Sequence, residues 1–229
     1  MARNYRQSGH KRAGHCVKVG LFCRSTRAFS RIAALETKAR RAKNVRMTKY
    51  VLLDRDGVIN RKVENGYVAS WPEFVFLPGA LEALRLLAEN GYVSLVISNQ
   101  AGVGKGVLTA AALRQITQRF MAKAKAHGGR IFQVYYCTHR KEERCQCRKP
   151  KPGLLLRAQQ DHGFQFAKTY LIGDSESDLL AARTVGCPAI LINRNPARVR
   201  GKWASCLPTV VPDLRSAVSL VLEEGDHRA

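Results

Sequence analysis

The apolar run Tyr50-Val51-Leu52-Leu53 stops abruptly at Asp54, and this junction constrains the fold more than any other feature of the chain. A short apolar run ending in a carboxylate reads as a strand buried on both faces, as in a parallel sheet. The pattern recurs. Val93 to Ile97 ends at Ser98, Gln133 to Tyr136 at Cys137, and Thr169 to Ile172 at Gly173-Asp174, while Ala189 to Ile192 is a further strand. Helical stretches lie between them. Leu81, Leu84, Leu87 and Ala88 share one face of a helix from Ala80 to Asn90, with Gly91 as its stop signal. Thr109 caps a helix reaching about His127. Gly153 to His162 and Glu176 to Val185 are two more, and Asp213 begins the last. Strands alternating with helices give βαβ units and a parallel sheet. Ligands of such sheets sit beyond the carboxyl ends of the strands. Those ends carry Asp54, Ser98, Cys137 and Asp174.

At 229 residues and 45% hydrophobic, the chain suffices for one well-buried domain and is too short for two large ones. No run approaches a membrane span, and no apolar segment of secretory type follows the first charges. A cytoplasmic protein is therefore expected. The net charge of +22 is uneven, because residues 1–46 hold 13 Lys and Arg against a single acid, Glu36. That segment also lacks a sustained apolar period. It is expected to be a basic, disordered extension, or an upstream-extended reading frame with Met47 as the functional start. A transit peptide or a nucleic-acid-binding arm are the alternatives. The folded domain is expected to span residues 47–229. Its remaining positive excess favours anionic ligands without requiring nucleic acid.

Four segments carry candidate chemistry. In Asp54-Arg55-Asp56-Gly57, the glycine permits a tight turn that can present two carboxylates to one ligand. A carboxylate can attack phosphorus to give an aspartyl phosphate, and magnesium suits carboxylate and phosphate oxygens. The bland alternative is a solvated acidic loop. In Ser98-Asn99-Gln100, followed by Ala101-Gly102-Val103-Gly104-Lys105-Gly106, the hydroxyl can donate to a phosphoryl oxygen. The glycines can let backbone N–H groups approach an anion, or form a plain loop. In Arg148-Lys149-Pro150-Lys151-Pro152-Gly153, Lys149 can neutralise charge on a phosphoryl group, and Arg148 can fork onto a second phosphate or a sugar hydroxyl; taken by itself, the segment reads more readily as an exposed basic loop. In Gly173-Asp174-Ser175-Glu176-Ser177-Asp178, the i, i+4 spacing puts Asp174 and Asp178 on one face. An acidic helix cap is the alternative there.

Seven cysteines, an odd number, argue against a disulfide framework. Cys137, His139, Cys145 and Cys147 instead have the spacing and softness of a closed, four-ligand structural zinc site. This loop runs directly into Arg148 and Lys149.

In order and spacing these motifs resemble the haloacid-dehalogenase-like (HAD-like) hydrolase superfamily. With the thiolate loop and Glu64-Asn65-Gly66-Tyr67-Val68, they are similar to its histidinol-phosphatase-like subfamily, over about Thr48 to Leu191. The resemblance implies an α/β, Rossmann-like parallel sheet flanked by helices, with a minimal cap and a zinc-binding loop. It implies a phosphoric monoester hydrolase acting as a monomer on a small phosphorylated sugar. Asp54 would be the nucleophile and Asp56 the general acid and base. Asp54, the Asp56 carbonyl and Asp174 would hold magnesium. Ser98 and Lys149 would bind the phosphoryl group, with Asn99, Gln100, Arg148 and the segment Glu64, Asn65, Gly66 and Tyr67 contacting substrate. The Asn-Gly-Tyr-Val and Lys-Pro-Lys-Pro-Gly segments favour a heptose bisphosphate; histidinol phosphate or a nucleic-acid 3′-phosphate are the alternatives. No basic and aromatic interleaving of the kind that binds nucleic acid is evident near these motifs.

Overall fold

The computed structural model describes residues 17–19, 48–195 and 209–227. Strand β2 (Lys49–Leu53) lies at the centre of the sheet, and its side chains show why the run had to be continuous. Val51 and Leu53 enter one core cluster and Leu52 enters another, all fully buried. Strand β3 (Tyr92–Asn99) divides the same way, with Val96 on one side and Leu95 and Ile97 on the other.

Around these two strands the order is β1-β4-β3-β2-β5-β6-β7, with β1 (Val17–Val19), β4 (Ile131–Cys137), β5 (Tyr170–Gly173), β6 (Ala189–Ile192) and β7 (Thr209–Val211). Six strands are parallel, and β1 pairs antiparallel with Val134–Tyr136 of β4. From β2 the chain winds outward through β3 and β4, then returns to β5 on the other side. The crevice between those two directions is the switch point where ligands of open α/β sheets bind.

Helices α1 (Ala80–Glu89), α3 (Ala110–Ala126) and α6 (Leu214–His227) cover one face, burying Leu84, Leu87, Ile116, Phe120, Val218 and Val221. Helices α4 (Gly153–His162) and α5 (Glu176–Thr184) cover the other through Leu154, Leu155, Ala158, Ala181 and Ala182. Each fully buried Leu or Ile contributes about 1.5–3 kcal/mol. Between β2 and α1 the described chain forms only isolated bridges, Asp56 with Asn60 and Asn60 with Phe76. This is the expected minimal cap.

The expected elements recur with ends shifted by one or two residues. Strand β7 was not anticipated, since three residues between Pro208 and Pro212 are too few to show a period. The glycine-rich segment after Gln100 departs from the anion-binding loop that was one of its expected forms. Ala101–Gly104 forms a helical turn, α2, because its glycines let backbones pack closely. A Cβ on Gly104 would lie 2.5 Å from the Thr138 carbonyl oxygen, which accepts the Gly104 N–H at 3.0 Å. Within residues 1–46 the three residues of β1 join the sheet edge; the rest of the expected extension, Met47, and Cys16, Cys23 and Cys206 lie outside the described residues. No described helix is long and apolar enough to cross a membrane.

Candidate active site

Parallel pairing brings the carboxyl ends of β2, β3, β4 and β5 to one edge, and the four sequence motifs meet there. Asp54 follows β2 directly, and its backbone N–H donates to the Ile172 oxygen at 2.9 Å. Lys149, from the loop before α4, is buried beneath it. Its Nζ lies 3.0 Å from Asp54 Oδ1 and 2.5 Å from Asp178 Oδ1, and donates to the Ile97 oxygen at 2.6 Å. The Asn99 side chain fixes the Lys149 backbone with a reciprocal pair, Nδ2 donating to the Lys149 oxygen at 3.0 Å and Oδ1 accepting the Lys149 N–H at 3.1 Å. Burial pushes the Asp54 carboxyl up to about 7; Lys149 opposes this, while Asp178, Asp174 and Asp56 add to it. Burial alone would lower the Lys149 ammonium, but Asp178 and Asp54 outweigh it and raise its pKa.

Asp174 follows β5. Its Oδ2 accepts from Lys62 Nζ at 2.8 Å, and its Oδ1 is buried without a hydrogen-bond partner among the described residues. Asp178 sits in the first turn of α5, where Ser175 N–H and Oγ donate to its Oδ2 at 3.1 and 2.5 Å. Gly57 makes the close approach of these motifs possible. Its φ is +87°, and a Cβ there would lie 2.2 Å from Asp174 Oδ2. One ligand oxygen from each of Asp54, Asp174 and Asp178 lies within 4.8 Å of the others. Hard oxygen donors and one unsatisfied buried oxygen fit a divalent cation such as magnesium.

Asp56 is held differently. Its Oδ1 accepts from Arg55 Nη2 at 2.8 Å, Arg55 Nε at 3.2 Å and Asn60 Nδ2 at 2.8 Å; its Oδ2 accepts from Arg55 Nη2 at 2.9 Å and Gln100 Nε2 at 2.6 Å. Burial would raise its pKa, but Arg55, Asn60 and Gln100 together lower it. Asp54, Asp56, Lys62, Ser98, Arg148, Lys149 and Asp174 are among the residues lining one cavity of about 240 Å³.

At the end of β4 the second cluster closes. Cys137 Sγ and Cys147 Sγ each lie 3.5 Å from Cys145 Sγ, and His139 Nδ1 lies 3.2 Å from Cys147 and 3.7 Å from Cys137. None of the three thiols forms a disulfide. Burial pushes the Cys137 thiol up to about 11. A soft cation that stabilises thiolates is the partner such a set of donors fits.

A family profile described as HAD-hydrolase-like matches residues 146–217. The D-glycero-beta-D-manno-heptose-1,7-bisphosphate 7-phosphatase of Helicobacter pylori is 37% identical over 160 residues, 69% of this chain and 91% of that one. That of Pseudomonas aeruginosa is 32% identical over 174 residues, 76% of this chain and 97% of that one. The chain belongs to this family of HAD-like hydrolases. The crystal structure of D,D-heptose 1,7-bisphosphate phosphatase from B. bronchiseptica, complexed with magnesium and phosphate, superposes with a TM-score of 0.72 at 30% identity, covering 77% of this chain and 99% of that one.

Within this HAD-like frame, Asp54, Asp56, Gly66, Tyr67, Ser98, Asn99, Arg148, Lys149 and Asp174 line the cavity. Glu64 and Asn65 are exposed and outside its lining. Asn65 adopts φ +53° in a turn closed by Gly66 N–H on the Val63 oxygen, so Asn65-Gly66 serves as turn chemistry that aims Tyr67 inward. Gln100 is buried, with its amide on Asp56 and on Ser98 Oγ, and does not line the cavity. Lys62, Ser175, Ser177 and Arg55 were not singled out from sequence. Lys62 lies in a segment with no periodic signal, and Arg55 hides between two acids that draw attention first.

Proposed function

We propose that the chain is a magnesium-dependent phosphomonoesterase that removes the 7-phosphate of D-glycero-D-manno-heptose 1,7-bisphosphate through an aspartyl phosphate on Asp54. The observation that carries this reading is the buried Lys149 ammonium, which ties Asp54 to Asp178 on the floor of a cavity that also holds Ser98, Asp174 and a second cation, Arg148. The relatives' names supply the sugar.

In the first step an Asp54 oxygen bonds to phosphorus as the bond to the sugar oxygen breaks. Asp56, held as a carboxylate by Arg55, Asn60 and Gln100, must first take up a proton, which it then gives to that oxygen. In the second step a water oxygen bonds to phosphorus, its proton passes to Asp56, and the bond to Asp54 breaks. Ser98 donates to a phosphoryl oxygen, and Lys149 balances its growing charge. Asp54, the Asp56 carbonyl and Asp174, with Asp178 behind them, are the residues that would hold magnesium, which offsets charge between carboxylate and phosphate when bound. Cys137, His139, Cys145 and Cys147 would hold a structural zinc, with all four positions filled by protein.

A bisphosphate places a second anion away from Asp54, and Arg148 is the lining cation that, among the described residues, is not paired with a carboxylate as Lys62 and Lys149 are. Binding energy gathered there can position the reacting group. Phosphate release should be compared for heptose 1,7-bisphosphate, histidinol phosphate and a 3′-phosphorylated oligonucleotide. The bisphosphate should have by far the highest kcat/KM, and Arg148→Ala should narrow its lead. A preference for either competitor would overturn the substrate while leaving the phosphatase chemistry standing.

A further inference from the structure

Arg55 lies between the two reacting carboxylates in the chain, yet its side chain is fully buried. Its backbone oxygen closes the turn, accepting from Ile59 N–H at 2.8 Å and Asn60 N–H at 3.1 Å. Its guanidinium grips both oxygens of Asp56. The guanidinium is itself held from behind. Its carbon sits 5.9 Å from the Phe74 ring centroid, and the buried Tyr136 side chain is a neighbour that favours its charged form. Tyr136 Oη is in turn 2.8 Å from Thr117 Oγ1, and Phe74 stacks on Phe120 with centroids 5.2 Å apart. Helix α3 and strand β4 thus form a backstop for one arginine.

Two more donors complete the grip on Asp56, Asn60 Nδ2 from the same turn and Gln100 Nε2 from just beyond the carboxyl end of β3. Neutralising a carboxylate needs only one cation. Donors from three points in the chain fix both oxygens, and so fix the plane of the carboxyl group. The Asp56 side chain remains 22% exposed, on the cavity side.

We infer that Arg55, seconded by Gln100, is a positioning residue that aims Asp56 at the leaving oxygen. The inference rests on the acid–base role proposed above for Asp56. As the phosphorus–oxygen bond to the sugar breaks and the bond to Asp54 forms, a proton must pass from Asp56 to an alkoxide. An alkoxide leaves poorly without that proton; a nitrophenoxide leaves well without it. A misaimed Asp56 therefore slows the first step for an alkyl phosphate and spares it for an aryl phosphate. Damage to the fold or to metal binding would slow both equally.

The experiment measures single-turnover release of the leaving group from a sugar phosphate and from p-nitrophenyl phosphate, with magnesium-saturated full-length enzyme. Variants are Arg55→Lys, Arg55→Gln and Gln100→Ala. Arg55→Gln should slow sugar release within the roughly 10²–10⁴-fold range of a general acid, with the nitrophenolate burst at least tenfold less affected and KM little changed. Arg55→Lys should recover part of the loss. Gln100→Ala should show the same selectivity in milder form, and it removes no buried charge, so it tests the idea even if Arg55→Gln fails to fold. Equal slowing of both leaving groups in the folded variants, or no slowing of either, would overturn the inference. A wild-type enzyme that releases nitrophenolate but no sugar would instead count against the proposed substrate. A wild-type enzyme inert toward both would overturn the phosphatase reading and this inference together.

Discussion

Asp54, Asp174 and Asp178 gather their ligand oxygens within 4.8 Å, and Cys137, His139, Cys145 and Cys147 gather theirs as closely, but the two groups are built in opposite ways. The carboxylates come from distant parts of the chain and meet only because β2 and β5 pair in the core. The thiols come from one short loop at the end of β4 and need little beyond that loop to find each other. The first group is hard, open to the cavity and balanced by a buried lysine. The second is soft, and none of its four residues lines the cavity of about 240 Å³. The difference separates chemistry from support: an open set of oxygens leaves room for substrate, and a closed set of sulfurs leaves none. Yet Lys149 belongs to both. It follows Cys147 by two residues, and its ammonium ends on Asp54 and Asp178. The Asn99 amide holds the backbone of the residue that balances the carboxylates, and the thiol loop runs directly into it.

Removing that link should have the largest effect. Lys149→Met leaves Asp54 and Asp178 facing each other without a counter-charge. Breaking a buried pair costs about 3–5 kcal/mol, and losing a transition-state donor costs roughly 10²–10³ in kcat. Thermal unfolding and steady-state kinetics read both. A stable variant with normal kcat would mean the two clusters are independent.

Cys145→Ser attacks the other end of the link. The proposed zinc, one per chain by elemental analysis, should be absent from this variant, and KM should rise more than kcat falls. A metal-free protein with unchanged KM would break the idea that the loop supports Lys149 and Arg148.

Acidity sharpens the contrast further. Without metal, burial raises Asp54 to about 7 and raises Asp174 as well. A raised carboxyl favours the protonated native state. Its contribution to stability is complete below the unfolded value of 3.8 and is lost as pH rises through about 7. Asp56 is lowered, so its contribution is lost only as pH falls through that depressed value. The proposed magnesium would compete with the proton on Asp54. Its stabilising shift in Tm should therefore grow as pH rises through about 7, and a pH-independent shift would show that Asp54 is not a ligand. The smallest effect is expected from a chain beginning at Met47. It loses the β1 pairing on β4 but none of the described residues that line the cavity, so Tm should fall slightly and kcat/KM should hold.

The carboxylate site was legible because each strand ends in a reactive group, and the thiol site because its ligands are local. Gln100 and Arg55 were harder. Both lie inside motifs that announce substrate binding or nucleophilic attack, and only packing shows that both turn onto Asp56. Lys62 reaches Asp174 across the fold from a cap with no period to reveal it. Strand β1 is too short and too isolated in sequence to predict. What the sequence conveyed was periodicity and motif order; the direction in which individual side chains turn within a motif depends on contacts from far along the chain.

The central claim is that Asp54 carries the phosphoryl group. Enzyme mixed with excess sugar bisphosphate and quenched in acid should yield, by peptide mass spectrometry, one added phosphoryl group on Asp54. Asp54→Asn should yield none and should release no phosphate. Wild-type turnover with no phosphoryl group on Asp54 at any quench time, together with near-normal phosphate release by Asp54→Asn, would contradict the account.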